Sequence, residues 1–279
     1  MIAYHRWTLI ALLMAATTLA GCAGIQPQPA NLFTTRLPTT PPEEITVAAA
    51  ASMQFVFNEL KVLFEKETGY RVNLVYGSTG QLVQQIENGA PYDLIAAANT
   101  EYVDRLARQN LVLPESVALY AQGQIVLATN RASGIEATTL SDLLSNDILH
   151  VAIANPEHAP YGLAAKQALQ SSGIWDQIQD KIVYAENIRQ ALQYVQSGDA
   201  EAGIVALGEA NVPEIEWSLV DSSLYEPLIQ ALGVTTKSRH PKIAGQFANF
   251  IAGIEGQAIL NKYGFGLPPT ANLEQPINP

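Results

Sequence analysis

The sequence has little cysteine and little positive charge. Its 279 residues include one cysteine, Cys22, and 15 lysines and arginines against 26 aspartates and glutamates. A single cysteine excludes an intrachain disulfide framework and a thiolate metal cluster. The formal net charge of -11 argues against nonspecific binding to nucleic acid, which requires a basic surface. His150, His158 and His240 lack metal-ligand spacing, so no zinc site is expected.

Long apolar runs are also scarce, and the clearest lies at the N-terminus. A short segment with His5 and Arg6 precedes the apolar run 7–20, which ends in Leu-Ala-Gly-Cys. The run is too short to favour a transmembrane span and is typical of a secretory signal peptide over 1–21. Leu-Ala-Gly-Cys resembles the lipobox of bacterial lipoproteins, which implies a lipid anchor at Cys22. The alternative is an ordinary signal peptide with an incidental cysteine.

The segment 22–44 lacks a periodic apolar pattern and contains five prolines. This composition predicts an extended tether between the lipidated cysteine and a globular body. Removal of 1–21, which holds one arginine and no acidic residue, changes the formal charge from -11 to -12. Such a body repels small anions at long range, so an anion site in it has to work through local hydrogen-bond donors.

Strand-like segments alternate with helical patterns in the body, which is typical of an α/β fold with a largely parallel sheet. The predicted strands are 45–50, 72–76, 94–97, 124–128, 150–153, 182–184, 202–205 and 229–235. The first predicted helix has Val56, Leu60 and Phe64 on one face and ends near Gly69. Later helices are expected around 82–86 and over 102–108, 163–170, 188–196, 241–254 and 256–263.

Two stretches, 114–122 and 228–236, have the character of crossings between two lobes. These crossings predict a lobe I of 45–121 plus 236–279 and a lobe II of 122–235. Ligands of open α/β sheets bind beyond the carboxyl ends of strands, where helices begin. The two-lobe arrangement therefore predicts a ligand in the cleft between the lobes.

Four helix starts are candidates for that cleft. Ser52 and Thr79 each follow an apolar strand and open a helix, while the segments 156–162 and 186–188 precede two later helices. The first turn of a helix has backbone N–H groups without intrahelical partners, and a hydroxyl adds a further donor. Helix starts that face one cleft would trap an anion. For either hydroxyl alone, an ordinary capping role is the common alternative.

Six motifs of the body resemble those of a known protein family. In chain order they are ITVAAAAS, GSTGQLVQQIENGAPYDLIAAA, ANPEHAPYGLAAKQAL, AENIRQALQYV, EAGIVALGEA and KYGFG. They resemble the corresponding motifs of the periplasmic molybdate-binding proteins of ABC importers, and they cover nearly all of 45–266. The resemblance implies a type II-like periplasmic-binding-protein fold with two crossover hinge segments. It also implies a monomer that delivers an oxyanion to an ABC importer permease.

The resemblance assigns roles to individual residues. It implies that Ser52 and Thr79 bind a tetrahedral oxyanion through their hydroxyls, with Thr79 standing where the family has a serine. Tyr161 and Ile188 match positions that donate backbone N–H groups. Ala206 stands where some members have a tyrosine that completes the shell, so this chain lacks that side-chain donor. Tyr161 and Tyr76 are the candidates to replace it.

The expected ligand is molybdate or tungstate, held by hydrogen bonds without coordination of the metal by the protein. Some archaeal relatives add carboxylates to the metal, but the matching positions here are Ala159 and Ala206, which cannot ligate. Sulfate or another oxyanion is the alternative ligand. A second alternative is an extracytoplasmic serine hydrolase using Ser52, although no Gly-x-Ser-x-Gly elbow surrounds it. No cofactor is expected.

Overall fold

The body is built on two five-stranded sheets, each flanked by helices. A computed structural model of the protein describes residues 42–269; the predicted signal peptide, Cys22 and most of the predicted tether lie outside this range. Within 42–269, none of the helices combines the length and the apolar character needed to cross a bilayer. The two sheets with their flanking helices confirm the predicted α/β class.

The first sheet has the strand order β2-β1-β3-β10-β4. Its strands are β1 (Glu44–Ala50), β2 (Arg71–Gly77), β3 (Leu94–Ala97), β4 (Ala118–Gly123) and β10 (Leu228–Val234). The β1 strand pairs in parallel with β2 and β3, while β10 runs antiparallel to β3 and β4. Helices packed with this sheet are α1 (Gln54–Thr68), α2 (Thr79–Glu87), α3 (Thr100–Arg108), α8 (Pro241–Ala252) and α9 (Ile254–Lys262).

The second sheet has the order β7-β6-β8-β5-β9. Its strands are β5 (Ile125–Asn130), β6 (Val151–Ala154), β7 (Ile182–Ala185), β8 (Ala202–Ala206) and β9 (Ile215–Leu219). Strand β6 is parallel to β7 and to the central β8, and β5 is antiparallel to β8 and β9. The helices of this half are α4 (Pro160–Ser171), α5 (Trp175–Ile178), α6 (Ile188–Ser197) and α7 (Leu207–Ala210).

Two strands of the structure were not predicted. The segment 118–123, expected within a crossing, forms β4, and β9 was not expected at all. The run 229–235 was predicted as a strand of lobe II, yet β10 hydrogen-bonds to the first sheet, as does β4. The predicted lobe II boundaries of 122 and 235 are therefore too wide. We propose 124–227 as lobe II and the rest of the described body as lobe I.

Small residues at the end of β1 let helices approach the sheet closely. Val47 and the alanines that follow it are almost completely buried. Aromatic side chains cover the outer face: Phe64 of α1 lies 4.9 Å from Phe247 of α8, and Phe57 meets Phe247 edge-on at 6.3 Å, both between ring centroids. This packing fixes α1, and with it the turn that carries Ser52, against the first sheet.

Candidate functional site

Four helix starts surround one small cavity between the lobes. Lobe I contributes the turn with Ser52 and the start of α2 with Thr79, and lobe II contributes Tyr161 of α4 and Ile188 of α6. The structure thus brings together the four helix starts that the sequence singled out. Because each strand of a parallel set ends at the same sheet edge, these starts meet where the two edges face each other.

Ser52 lies in the 3-10 turn Ala51–Met53, which joins the end of β1 to α1. Its side chain is buried, and its Oγ atom has no hydrogen-bond partner of ordinary geometry among the described residues. The hydroxyl lies near the phenol of Tyr161, where it opposes in part the rise in the pKa of that phenol that burial causes. A buried hydroxyl without a partner is costly, so it is poised to donate to a ligand.

Thr79 is the first residue of α2 and is also buried. Its Oγ1 accepts a hydrogen bond of 3.1 Å from the backbone N–H of Ala98, which follows β3. With the oxygen engaged as an acceptor, the hydroxyl proton remains available to donate into the cavity. The contact with Ala98 therefore orients the hydroxyl.

Tyr161 and Ile188 bring backbone N–H groups to the lobe II side. Pro160 begins α4, where its fixed φ suits the first turn and a missing N–H costs nothing. Asn187 caps α6, its Oδ1 accepting from the backbone N–H of Gln190 at 3.1 Å. Tyr161 and Ile188 thus lie in first turns, where N–H groups have no intrahelical acceptor.

The side chain of Tyr161 reaches past the cavity to the strands that connect the lobes. Its hydroxyl accepts a 3.0 Å hydrogen bond from Gln230 Nε2 of β10. Gln230 Oε1 in turn accepts from the Tyr120 hydroxyl of β4 at 2.9 Å. Burial raises the pKa of both tyrosines well above the usual value. Tyr161 therefore ties α4 to the connecting strands.

Ala206 ends β8 and is completely buried, but it is not among the residues that surround the cavity. The structure therefore does not bring it together with the other four candidates. Tyr76 does not fill the gap, because its hydroxyl contacts Asn58 Oδ1 at 3.1 Å and the carbonyl of Gln54 at 3.3 Å. Both of these acceptors are on α1.

Sequence reasoning missed a set of contacts across the rim of the cavity. Ser78 Oγ lies 2.6 Å from Nδ1 and 3.0 Å from the carbonyl oxygen of His158. The backbone N–H of Gly80 donates to the same carbonyl at 2.9 Å. We call Ser78, Gly80 and His158 the clasp. Ser78 stands next to a predicted ligand, but nothing in the spacing pairs it with a histidine 80 residues away.

A buried carboxyl group lies near the guanidinium of Arg189, the residue that follows Ile188. Glu209 of α7 is 1% exposed, and neither of its carboxyl oxygens has a hydrogen-bond partner among the described residues. Arg189 Nη1 is 4.0 Å away, and its guanidinium stacks over Phe55 of lobe I. Burial raises the pKa of Glu209 to about 8, against a smaller lowering by Arg189.

The electrostatics of the cavity come from the backbone. None of the residues around it carries a charged side chain. Each helix start presents the positive end of the helix dipole together with first-turn N–H groups that have no intrahelical acceptor, and an anion at such an end is stabilised. The cavity can therefore hold a small anion with donors on every side and no acceptor carboxylate.

Comparison with known proteins agrees with this geometry. The sequence profile of the bacterial extracellular solute-binding protein family matches residues 45–266. The chain is 32% identical over 229 residues to the molybdate-binding protein ModA of Azotobacter vinelandii, covering 80% of this chain and 90% of that one. It is 30% identical over 224 residues to ModA of Rhodobacter capsulatus, covering 80% and 88%.

Solved structures give the same result. The periplasmic molybdate-binding protein of Azotobacter vinelandii superposes with a TM-score of 0.76 at 32% identity, covering 81% of this chain and 100% of that one. The sulfate-binding protein SubI of Mycobacterium tuberculosis shares the fold alone, with a TM-score of 0.69 at 18% identity over 80% and 86% of the two chains. With the profile match across nearly the whole body, the chain belongs to the bacterial extracellular solute-binding proteins.

Proposed function

We propose that this protein captures molybdate or tungstate in the interlobe cavity and delivers it to an ABC importer. The observation that carries the proposal is the meeting of four helix starts and two buried hydroxyls around one cavity without a charged side chain. Ser52 and Thr79 donate through their hydroxyls, and Tyr161 and Ile188 donate through backbone N–H groups. Ala206 gives no side-chain donor in this scheme.

The donor set favours a fully deprotonated tetrahedral oxyanion. Molybdate, tungstate and sulfate accept hydrogen bonds at every oxygen near neutral pH, whereas hydrogen phosphate carries a proton that needs an acceptor. A cavity of donors leaves that proton unpaired, which costs about 1–3 kcal/mol. Discrimination against sulfate, which is smaller than molybdate, has to come from the size of the cavity.

The names of the relatives support the ligand class. The relatives in Azotobacter vinelandii and Rhodobacter capsulatus are named molybdate-binding proteins. The oxyanion would contact donors from both lobes and so favour the closed arrangement through its differential contacts. The closed monomer would then present the rims of both lobes to the permease.

The proposal includes a lipid anchor at Cys22 and a location outside the cytoplasmic membrane. The sequence 22–44 would tether the body near the importer without embedding it. Globomycin treatment of producing cells tests the anchor, because it blocks the peptidase that acts on lipidated precursors. Accumulation of the uncleaved precursor is expected, and Cys22→Ser should abolish that response. Unchanged processing in treated cells would exclude the anchor.

Calorimetric titration of residues 42–279 with molybdate, tungstate, sulfate and phosphate at neutral pH tests the ligand. Molybdate and tungstate should bind at micromolar concentration or tighter, and phosphate should not. Ser52→Ala should weaken binding by about tenfold, because it removes a hydrogen bond to a charged group. Its melting temperature should change little, since Ser52 Oγ has no hydrogen-bond partner of ordinary geometry among the described residues.

Absence of binding by all four anions would overturn the proposal. Sulfate binding as tight as molybdate binding would keep the class and change the ligand. The hydrolase alternative requires a base beside Ser52, and among the described residues its Oγ has none as a hydrogen-bond partner. Covalent labelling of Ser52 by a serine-directed fluorophosphonate would favour that alternative, and no labelling is expected.

A further inference from the structure

The start of α2 is capped by the opposite lobe. Ser78 occupies the N-cap position of this helix, where a serine hydroxyl ordinarily accepts from the backbone N–H groups of the first turn. Here it makes no such bond; the hydroxyl contacts the ring and the carbonyl of His158 instead. The residue best suited to cap α2 thus faces lobe II.

The carbonyl of His158 takes over the capping role. It accepts from the backbone N–H of Gly80, a first-turn donor of α2, at 2.9 Å. When the Ser78 hydroxyl donates to this carbonyl, Nδ1 of His158 carries the ring proton and donates back to Oγ. Opening of the lobes would break these bonds together and leave α2 without its cap.

The approach of the two lobes at this point depends on the absence of a side chain at Gly80. A Cβ atom built there would lie 2.8 Å from the carbonyl oxygen of His158 and 2.9 Å from its Cβ. Real Cβ atoms do not approach a backbone oxygen so closely, and His158 O belongs to backbone that cannot turn aside. Any other residue at position 80 would therefore hold the rims apart.

We propose that the clasp of Ser78, Gly80 and His158 sets the lifetime of the closed state, and thereby the rate at which the bound oxyanion leaves. The proposal rests on the proposed function for its ligand. The three residues act as positioning residues, since the contacts described join the lobes to each other. Because Ser78 and Gly80 flank Thr79, closing the clasp also brings the Thr79 hydroxyl towards lobe II.

A second contact across the rim provides the matched control. Gln81 Nε2 donates to Glu186 Oε1 at 3.1 Å, also between the lobes, but this pair is exposed to solvent. Exposed polar pairs contribute little because water replaces either partner. Loss of this bond should leave the closed state almost unchanged, whereas loss of the half-buried clasp should not.

Stopped-flow measurement of molybdate dissociation from residues 42–279 tests the proposal. One neutral hydrogen bond is worth about 1 kcal/mol, or roughly a fivefold change in rate. His158→Ala should accelerate dissociation about fivefold, Ser78→Ala five- to twentyfold and Gly80→Ala more than either. Association should change less than twofold, since the clasp forms after the ligand enters. Ser78→Thr should restore slow release, and Gln81→Ala should match the wild type.

Dissociation rates of Ser78→Ala and Gly80→Ala within twofold of the wild type would overturn the proposal. So would a threonine at position 78 that fails to rescue. Melting temperatures of the variants, measured alongside, show that each is folded.

A readout without ligand separates this proposal from the proposed function. Spin labels attached at Asp104→Cys on α3 and Leu163→Cys on α4 report the distance between the lobes at the mouth of the cleft. The sequence after residue 22 contains no other cysteine that would take up the label. Gly80→Ala should lengthen this distance in the absence of any anion. If no oxyanion binds the wild type, the proposed function fails while this distance still tests the clasp. An unchanged distance would overturn the clasp alone.

Discussion

Glu209 is a buried carboxyl group without a hydrogen-bond partner in the part of the chain that the structure describes. Burial raises its pKa from 4.5 to about 8, and the titratable groups near it are Arg189 on α6, Tyr76 on β2 and Tyr161 on α4. At neutral pH the group is therefore mostly protonated in the folded protein and ionised in the unfolded chain. Folding takes up a proton at this residue.

This difference predicts a pH-dependent stability. The neutral carboxyl contributes its full stability below pH 4.5, and this contribution is lost as the pH rises towards about 8. The free energy of unfolding should fall across that window by up to roughly 5 kcal/mol from this group. Glu209→Gln should remove this dependence and raise stability at pH 8. Urea unfolding at several pH values between these limits measures it.

Glu216→Gln provides the control, because Glu216 is exposed and pairs with Arg131 on the surface. Its unfolding curve should follow the wild type at each pH. If Glu209→Gln and the wild type lose stability in parallel as the pH rises, the carboxyl of Glu209 is already ionised in the folded protein, and the predicted proton uptake does not occur.

At the level of elements, the sequence predicted most strands to within two residues, because their apolar runs are bounded by turn residues. The exceptions have physical reasons. The apolar stretch that contains β10 looks the same whichever sheet it joins, and only its antiparallel pairing with β3 and β4 assigns it to lobe I. Strand β9 lies at the edge of its sheet and buries only Ile215, so it lacks the apolar pattern of the inner strands.

The candidate site was predictable where it depends on local sequence. Ser52, Thr79, Tyr161 and Ile188 all lie at helix starts that follow strands, and the structure places all four around one cavity. The clasp was not predictable, since His158 meets Ser78 through the relative placement of two lobes. The prediction for Ala206 failed for a different reason. The resemblance matched Ala206 to a ligand position of some relatives, but Ala206 lies outside the residues that line the cavity.

Strand β4 ends at Gly123, and only Gln124 separates it from β5 in the other sheet. A Cβ atom at this position would lie 2.1 Å from the Tyr161 hydroxyl and 2.9 Å from Gln230 Nε2. Gly123→Ala should therefore displace the Tyr161–Gln230 hydrogen bond and reduce the free energy of unfolding by about 1–3 kcal/mol. Chemical unfolding of the variant measures this loss.

Gly266→Ala is the matched control, because Gly266 forms a β-bridge with Gln122, the residue before Gly123. A Cβ atom added at Gly266 would lie 3.7 Å from the Cβ atom of Gln122. This is an ordinary contact distance, so stability should change by less than about 0.5 kcal/mol. Equal stabilities for the two variants would show that the Tyr161 side chain moves aside at no cost, and that the connecting strands do not depend on it.

At the scale of the whole molecule, the protein and its proposed ligand both carry a net negative charge. The chain after residue 21 carries a formal charge of -12, and the proposed ligand is a dianion. The groove at the mouth of the cavity offers no compensation, because Arg105 and Arg108 there are accompanied by Glu101 and Asp104. Attraction is thus confined to the helix starts inside, which act over a short range. The molecule binds its ligand against its own long-range field.

This arrangement predicts that salt accelerates association. Raising the ionic strength from about 0.02 M to 0.2 M shortens the screening length from roughly 20 Å to 7 Å and weakens the repulsion between protein and dianion. The association rate of molybdate should rise about two- to fivefold, because the encounter is opposed by net charge. Dissociation should change little, since the contacts inside the cavity are buried. Stopped-flow measurements in sodium chloride, with sucrose as an uncharged control, separate the two rates. An association rate that falls with salt would instead show a local positive field at the mouth of the cleft that outweighs the net charge of the chain.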